Sequence, residues 1–146
     1  MKDLGKPLIG ELTKLILSPD AAKSIDGRIR FTRSVFVDPD SVDHLTFLSW
    51  VGIGFHMTAE GFKHAISRPQ DPSALFKAGK DGLPLLFLYS DEDAQLNNEV
   101  SLNEVGPYFK KKKVVVVPRA GHAVFHGDQD RVVKEIVSFI GGKVED

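Results

Sequence analysis

The sequence predicts an α/β fold in which a run of helices precedes a parallel βαβα unit. Three observations carry this reading. Leu85–Tyr89 and Val114–Val117 are apolar along their whole length, the pattern of strands buried on both faces of a parallel sheet. Between them, Val100, Leu102, Val105 and Phe109 recur at helical spacing from Asn98 onward. Upstream, residues 1–78 carry their apolar side chains at helical rather than alternating periods. A right-handed crossover makes the two strands parallel and brings the loops that follow them to one edge. Those loops are Ser90-Asp91-Glu92-Asp93 and Arg119-Ala120-Gly121-His122. Open α/β sheets hold their working residues at that carboxyl edge.

The elements follow in order. After a flexible lead, Leu8, Ile9, Leu12, Leu15 and Ile16 form the stripe of an amphipathic helix, and Ser18-Pro19-Asp20 ends it and starts the next. A second helical region runs from Asp20 to Phe36, loosened around Gly27. Val37-Asp38-Pro39-Asp40 is a turn, because the residue before a proline avoids the helical region. Asp40 or Ser41 is expected to cap a third helix reaching about Ile53, with Gly52-Ile53-Gly54-Phe55 as its end. Trp50 within it reads as packing. Thr58 caps a fourth helix ending at Ser67, and Arg68-Pro69-Gln70-Asp71-Pro72 leads to a short helix, Ser73–Ala78. Asp128 caps the last helix, whose face is Val132, Val133, Ile136, Val137 and Ile140, with Gly141-Gly142 as its stop.

Composition bounds the partners. The 146 residues suit one domain with a core, the formal net charge is −1, and there is no cysteine. No apolar run approaches the ~18 residues of a membrane span, and the start lacks the apolar centre of a signal peptide, so a cytoplasmic protein is expected. Lys110–Lys113 read as a helix terminus and a solvated loop, since the chain has no basic excess to attract nucleic acid. His44, His56, His64, His122 and His126 show no metal-ligand spacing, so neither metal nor cofactor is expected.

Pro84-Leu85-Leu86-Phe87-Leu88-Tyr89-Ser90-Asp91-Glu92-Asp93 and Val114-Val115-Val116-Val117-Pro118-Arg119-Ala120-Gly121-His122-Ala123-Val124-Phe125 together resemble the C-terminal third of the α/β-hydrolase family. The resemblance covers residues 80–141. It implies Asp93 as the acid of a Ser–His–acid triad, with Asp91 the weaker candidate, and His122 as the histidine. Gly121 matches the tight turn before it, and Ser90 stands where a glycine is usual. Such a histidine takes a proton from a serine hydroxyl and returns it to the leaving group, while the carboxylate fixes the tautomer. Residues 1–78 resemble more loosely the helical cap of fungal members, giving a division into a cap (1–78) and a βαβα lobe (79–146).

One departure is plain: none of the serines lies in the G-x-S-x-G elbow that carries the family's nucleophile, and no cysteine replaces it. The resemblance therefore implies an esterase-like serine hydrolase that acts on a small-molecule substrate, contributes acid and base, and is inactive alone. The alternative is a non-catalytic truncated relative that binds a ligand or a protein through its cap. Either way, strand 85–89 is expected to expose an edge open to self-association.

Overall fold

Side-chain caps set most helix starts. Asp20 accepts from the N–H groups of Ala22 and Lys23, Thr58 from Gly61, Asn97 from Val100 and Asp128 from Arg131. The computed structural model describes residues 4–141, so the first three residues of the expected flexible lead and Gly142 of the expected helix stop lie outside it. The elements are α1 (Pro7–Ile16), α2 (Ala21–Arg33), α3 (His44–Phe55), α4 (Ala59–Ser67), α5 (Ser73–Asp81), β1 (Leu85–Tyr89), α6 (Asn98–Val105) with a 3-10 turn Gly106–Tyr108, β2 (Lys112–Val116), α7 (Val124–Gly127) and α8 (Gln129–Phe139).

The cap of α3 differs from expectation. Asp43, not Asp40 or Ser41, accepts from the Thr46 N–H at 2.9 Å. Both expected caps are occupied elsewhere: Asp40 pairs with Arg33 at 2.9 Å, and the Ser41 hydroxyl donates to the Asp38 carbonyl at 2.8 Å. The helix then runs through Gly52 and Gly54 to Phe55, where the Arg28 guanidinium donates to the Gly54 carbonyl.

β1 and β2 pair in parallel from Leu85↔Lys112 to Tyr89↔Val116. β2 starts inside the lysine run because the Leu85 N–H already reaches the Lys111 carbonyl at 2.9 Å. Leu86 and Leu88 join Val115, Val117, Ala120, Val124 and Val132 in one core, so α8 covers that face. Burial on both faces does not occur: Val114 and Val116, on the other face, stay 39% and 38% exposed. Among the described residues, no comparable apolar layer lies over them.

The upstream helices pack on one another and on the His122 loop. Leu12 and Ile16 of α1 are buried against α2. Gly27 permits that approach, since a Cβ there would sit 2.7 Å from the Leu15 Cβ. A second core joins Val35 and Phe36 to Ala123, with Val42, Phe47 and Trp50 around it. Trp50 stacks on Phe125 with centroids 5.9 Å apart, so it packs as expected of an aromatic.

Candidate active site

The loop after β1 folds around Asp93. Its Oδ1 accepts from the backbone N–H of Gln95 at 2.8 Å and of Leu96 at 3.0 Å. Its Oδ2 accepts from Asn98 Nδ2 at 3.0 Å and faces His122 Nδ1 at 3.0 Å. The residue is 4% exposed. Burial alone would push its carboxyl up, but the hydrogen bonds from His122, Asn98, Gln95 and Leu96 outweigh burial and hold it below the usual range. An ionised carboxylate only accepts, so His122 Nδ1 carries the proton and Nε2 presents its lone pair. No described residue hydrogen-bonds to Nε2, and the side chain is 36% exposed.

The sheet edge and the upstream helices jointly aim the imidazole. Gly121 has φ +70°, a left-handed conformation suited to glycine. It lets the loop pass so close to Val35–Val37 that the N–H groups of His122 and Ala123 both reach the Val35 carbonyl, at 2.9 and 3.2 Å. Asp91, the weaker candidate acid, does not approach the imidazole by any hydrogen bond. It is exposed, and its carboxylate accepts from the Arg119 N–H at 3.1 Å.

Sequence reasoning missed three contributors. Ser90 is buried, and its hydroxyl oxygen accepts from the N–H groups of Glu92, Ala120 and Gly121 at 3.1 to 3.2 Å, so it staples the two loops. Its position in place of the usual glycine was the available signal. Asn98 reads only as a helix start, yet it supplies a donor to Asp93. Gln95 anchors the loop to α2 through Ser34 Oγ at 3.0 Å. Replacing Ser90 with alanine strands three N–H groups and is expected to cost about 2 kcal/mol. A urea melt of the variant against the native chain measures this.

A cavity of about 290 Å³ opens beside the pair, lined by Phe87, Tyr89, Asn98, Ser101, Asp93 and His122 among others. A larger one of about 540 Å³ lies on the other side of the loop, between Phe36–Val42 and α7, and touches neither Asp93 nor His122. His126 lies there against the Phe36 ring, 5.0 Å between centroids. Among the described residues, no cluster of acidic and histidine side chains is placed to hold a metal, and no helix is long and apolar enough to cross a membrane.

Sequence comparison finds no matching family model and no matching curated protein. Solved structures do match. A Burkholderia cenocepacia protein described as an aryl esterase superposes with a TM-score of 0.81 at 19% identity, covering 97% of this chain and 50% of that one. An esterase from Rhodococcus sp. ECU1013 gives 0.80 at 16%, covering 95% and 49%. The fold is that of part of an α/β-hydrolase. A third neighbour, 2-hydroxy-6-oxo-6-phenylhexa-2,4-dienoate hydrolase from Rhodococcus sp. RHA1, gives 0.72 at 15%, covering 97% and 51%. The chain thus spans about half the length of each of these α/β-hydrolases. At such identities the likeness concerns the fold, and the site is argued from its own geometry.

Proposed function

We propose that Asp93 and His122 are the acid and base of an esterase-type hydrolase site. They would serve a nucleophile that these 146 residues do not contain in a G-x-S-x-G elbow. The observation carrying this is the 3.0 Å contact from His122 Nδ1 to Asp93 Oδ2 at the carboxyl edge of a parallel strand pair. It leaves Nε2 as a general base beside an open cavity. Two of the structural neighbours are described as esterases, which favours ester substrates. Helices α1 to α5 act in this reading as the cap over the substrate, with the division near residue 78; a place among fungal members rests on that segment's resemblance alone. The chain by itself is inactive, because a base without its hydroxyl can activate only water.

The second reading, a non-catalytic binding module, is favoured by one observation. Helix α3 has no buried residue, and Leu45 and Ile53 are 75% and 67% exposed, an apolar surface suited to a partner.

A fluorogenic ester assay on two proteins separates the readings. The 146-residue chain is expected to match its His122→Ala variant. The same chain, extended in its genomic frame through an upstream strand and G-x-S-x-G motif, is expected to turn over and to lose about 10⁴-fold or more on His122→Ala. Upstream DNA encoding no such motif, or an extended protein indifferent to His122→Ala, overturns the hydrolase reading and leaves the binding one.

A further inference from the structure

The acid and the base stand on loops 29 residues apart in the chain, yet both loops are fastened to one turn of a third element. That turn is the end of α2, from Phe31 to Val35. On the base side, the Val35 carbonyl accepts from the N–H groups of His122 and Ala123 at 2.9 and 3.2 Å. On the acid side, Gln95 Nε2 donates to Ser34 Oγ at 3.0 Å and to the Phe31 carbonyl at 3.4 Å. The Ser34 hydroxyl gives its own proton to the Phe31 carbonyl at 2.8 Å, which leaves its oxygen to accept from Gln95. The anchors of acid and base are thus consecutive residues, Ser34 and Val35.

Gln95 is where the acid loop meets that turn. Its backbone N–H is one of the two that hold Asp93 Oδ1, at 2.8 Å, and its carbonyl accepts from the Lys6 N–H at 2.8 Å. The Lys6 ammonium adds a bond to the Asp93 carbonyl at 2.6 Å. The residue is buried, and its amide spends its donors on α2 rather than on its own loop. Such a bond fixes where the loop lies, not only its shape. Ser90 ties the two loops at their roots, to Ala120 and Gly121, whereas Gln95 and Val35 tie them beside the carboxylate and the imidazole. The 3.0 Å between Asp93 Oδ2 and His122 Nδ1 is therefore set by two attachments to the same turn. From this we infer that Ser34 and Gln95 are positioning residues, an inference that rests on the acid–base reading above: their hydrogen bond sets the register of Asp93 against His122. Helix α2 is then part of the support of the base, and lifting it parts the acid from the histidine.

The test follows the His122 Nδ1 proton by NMR in the 146-residue chain with Gln95→Met, Ser34→Ala and both together. Methionine is unbranched like glutamine but brings no donor, and Ser34→Ala removes the acceptor from the other side. In each single variant the proton is expected to move upfield and to exchange with water about tenfold faster, the equivalent of one hydrogen bond. The double variant is expected to match either single one, since all three lack the same bond. Asp20→Ala is the control. It removes the cap at the far end of α2, where Asp20 accepts from the Ala22 N–H at 2.9 Å, and so weakens the helix without touching its last turn. The His122 proton is expected to be unchanged there. A native resonance and exchange rate in both single variants overturns the inference and leaves the acid–base pair standing. So does a double variant whose effect is the sum of the two, or an Asp20→Ala chain that shifts the proton as far, which would make the effect one of helix stability alone. A native chain with no protected Nδ1 proton overturns the pair itself and the inference with it.

Discussion

Replacing Gly121 with alanine is expected to lower the stability of the chain by about 3 kcal/mol. Two costs add. The backbone at φ +70° disfavours any Cβ. The new atom would also stand 2.8 Å from the Val35 carbonyl oxygen and 3.0 Å from the Val37 nitrogen, both main-chain atoms that cannot rotate away. Relief requires the loop to lift from residues 35–37, which breaks the hydrogen bonds of His122 and Ala123 to Val35. The substitution therefore also disorders the histidine, and the same chain shows both effects: an early urea midpoint and displaced His122 resonances. A midpoint within about 0.5 kcal/mol of native, the usual range of surface changes, contradicts the packing described.

Replacing Asp93 with asparagine is expected to cost about 3 kcal/mol at neutral pH. The amide oxygen still accepts from Gln95 and Leu96, but its NH₂ then faces the donor of Asn98, and His122 must move its proton to Nε2 to accept at Nδ1. Donor against donor, in a site 4% exposed, finds no water to relieve it. The pH dependence gives a second signature. The hydrogen bonds hold the Asp93 carboxyl below its ordinary range in the folded chain, so the unfolded chain binds its proton first as pH falls. Its contribution is fully present above that unfolded value and is lost as pH drops through the folded one. The native chain should thus lose stability below about pH 4, and the Asp93→Asn variant should be flatter there. Asp43 and Asp71 are also held low, by hydrogen bonds from Thr46 and Ser73, but are the same in both proteins and cancel in the comparison. Parallel stability curves from pH 2 to 6 would contradict this role for Asp93.

How far the sequence reveals this molecule depends on whether a feature is local. β1 is read to the residue, because an apolar run between Pro84 and Ser90 has clear stops on both sides. The caps Asp20, Thr58 and Asp128 are local too, each reaching an N–H two or three residues on. Asp43 was hidden because the two expected caps are taken elsewhere, Asp40 by Arg33 seven residues upstream and Ser41 by the Asp38 carbonyl. Helix α7 has four residues, too few for any period to show. The acid and histidine were marked by their place after two strands, whereas Ser90, Gln95 and Asn98 gained their roles only when two loops and α2 met. One-face burial of the sheet was invisible for the same reason, since a run of valines does not say how many layers will cover it.

The acid–base pair is tested most directly by long-range ¹H–¹⁵N NMR of the imidazole of His122 in the neutral, native chain. Hydrogen bonding to an ionised Asp93 predicts the Nδ1–H tautomer, with that proton far downfield of the amide region and absent in Asp93→Asn. An Nε2–H tautomer, or a spectrum that Asp93→Asn leaves unchanged, would show that the carboxylate does not orient this histidine as a base.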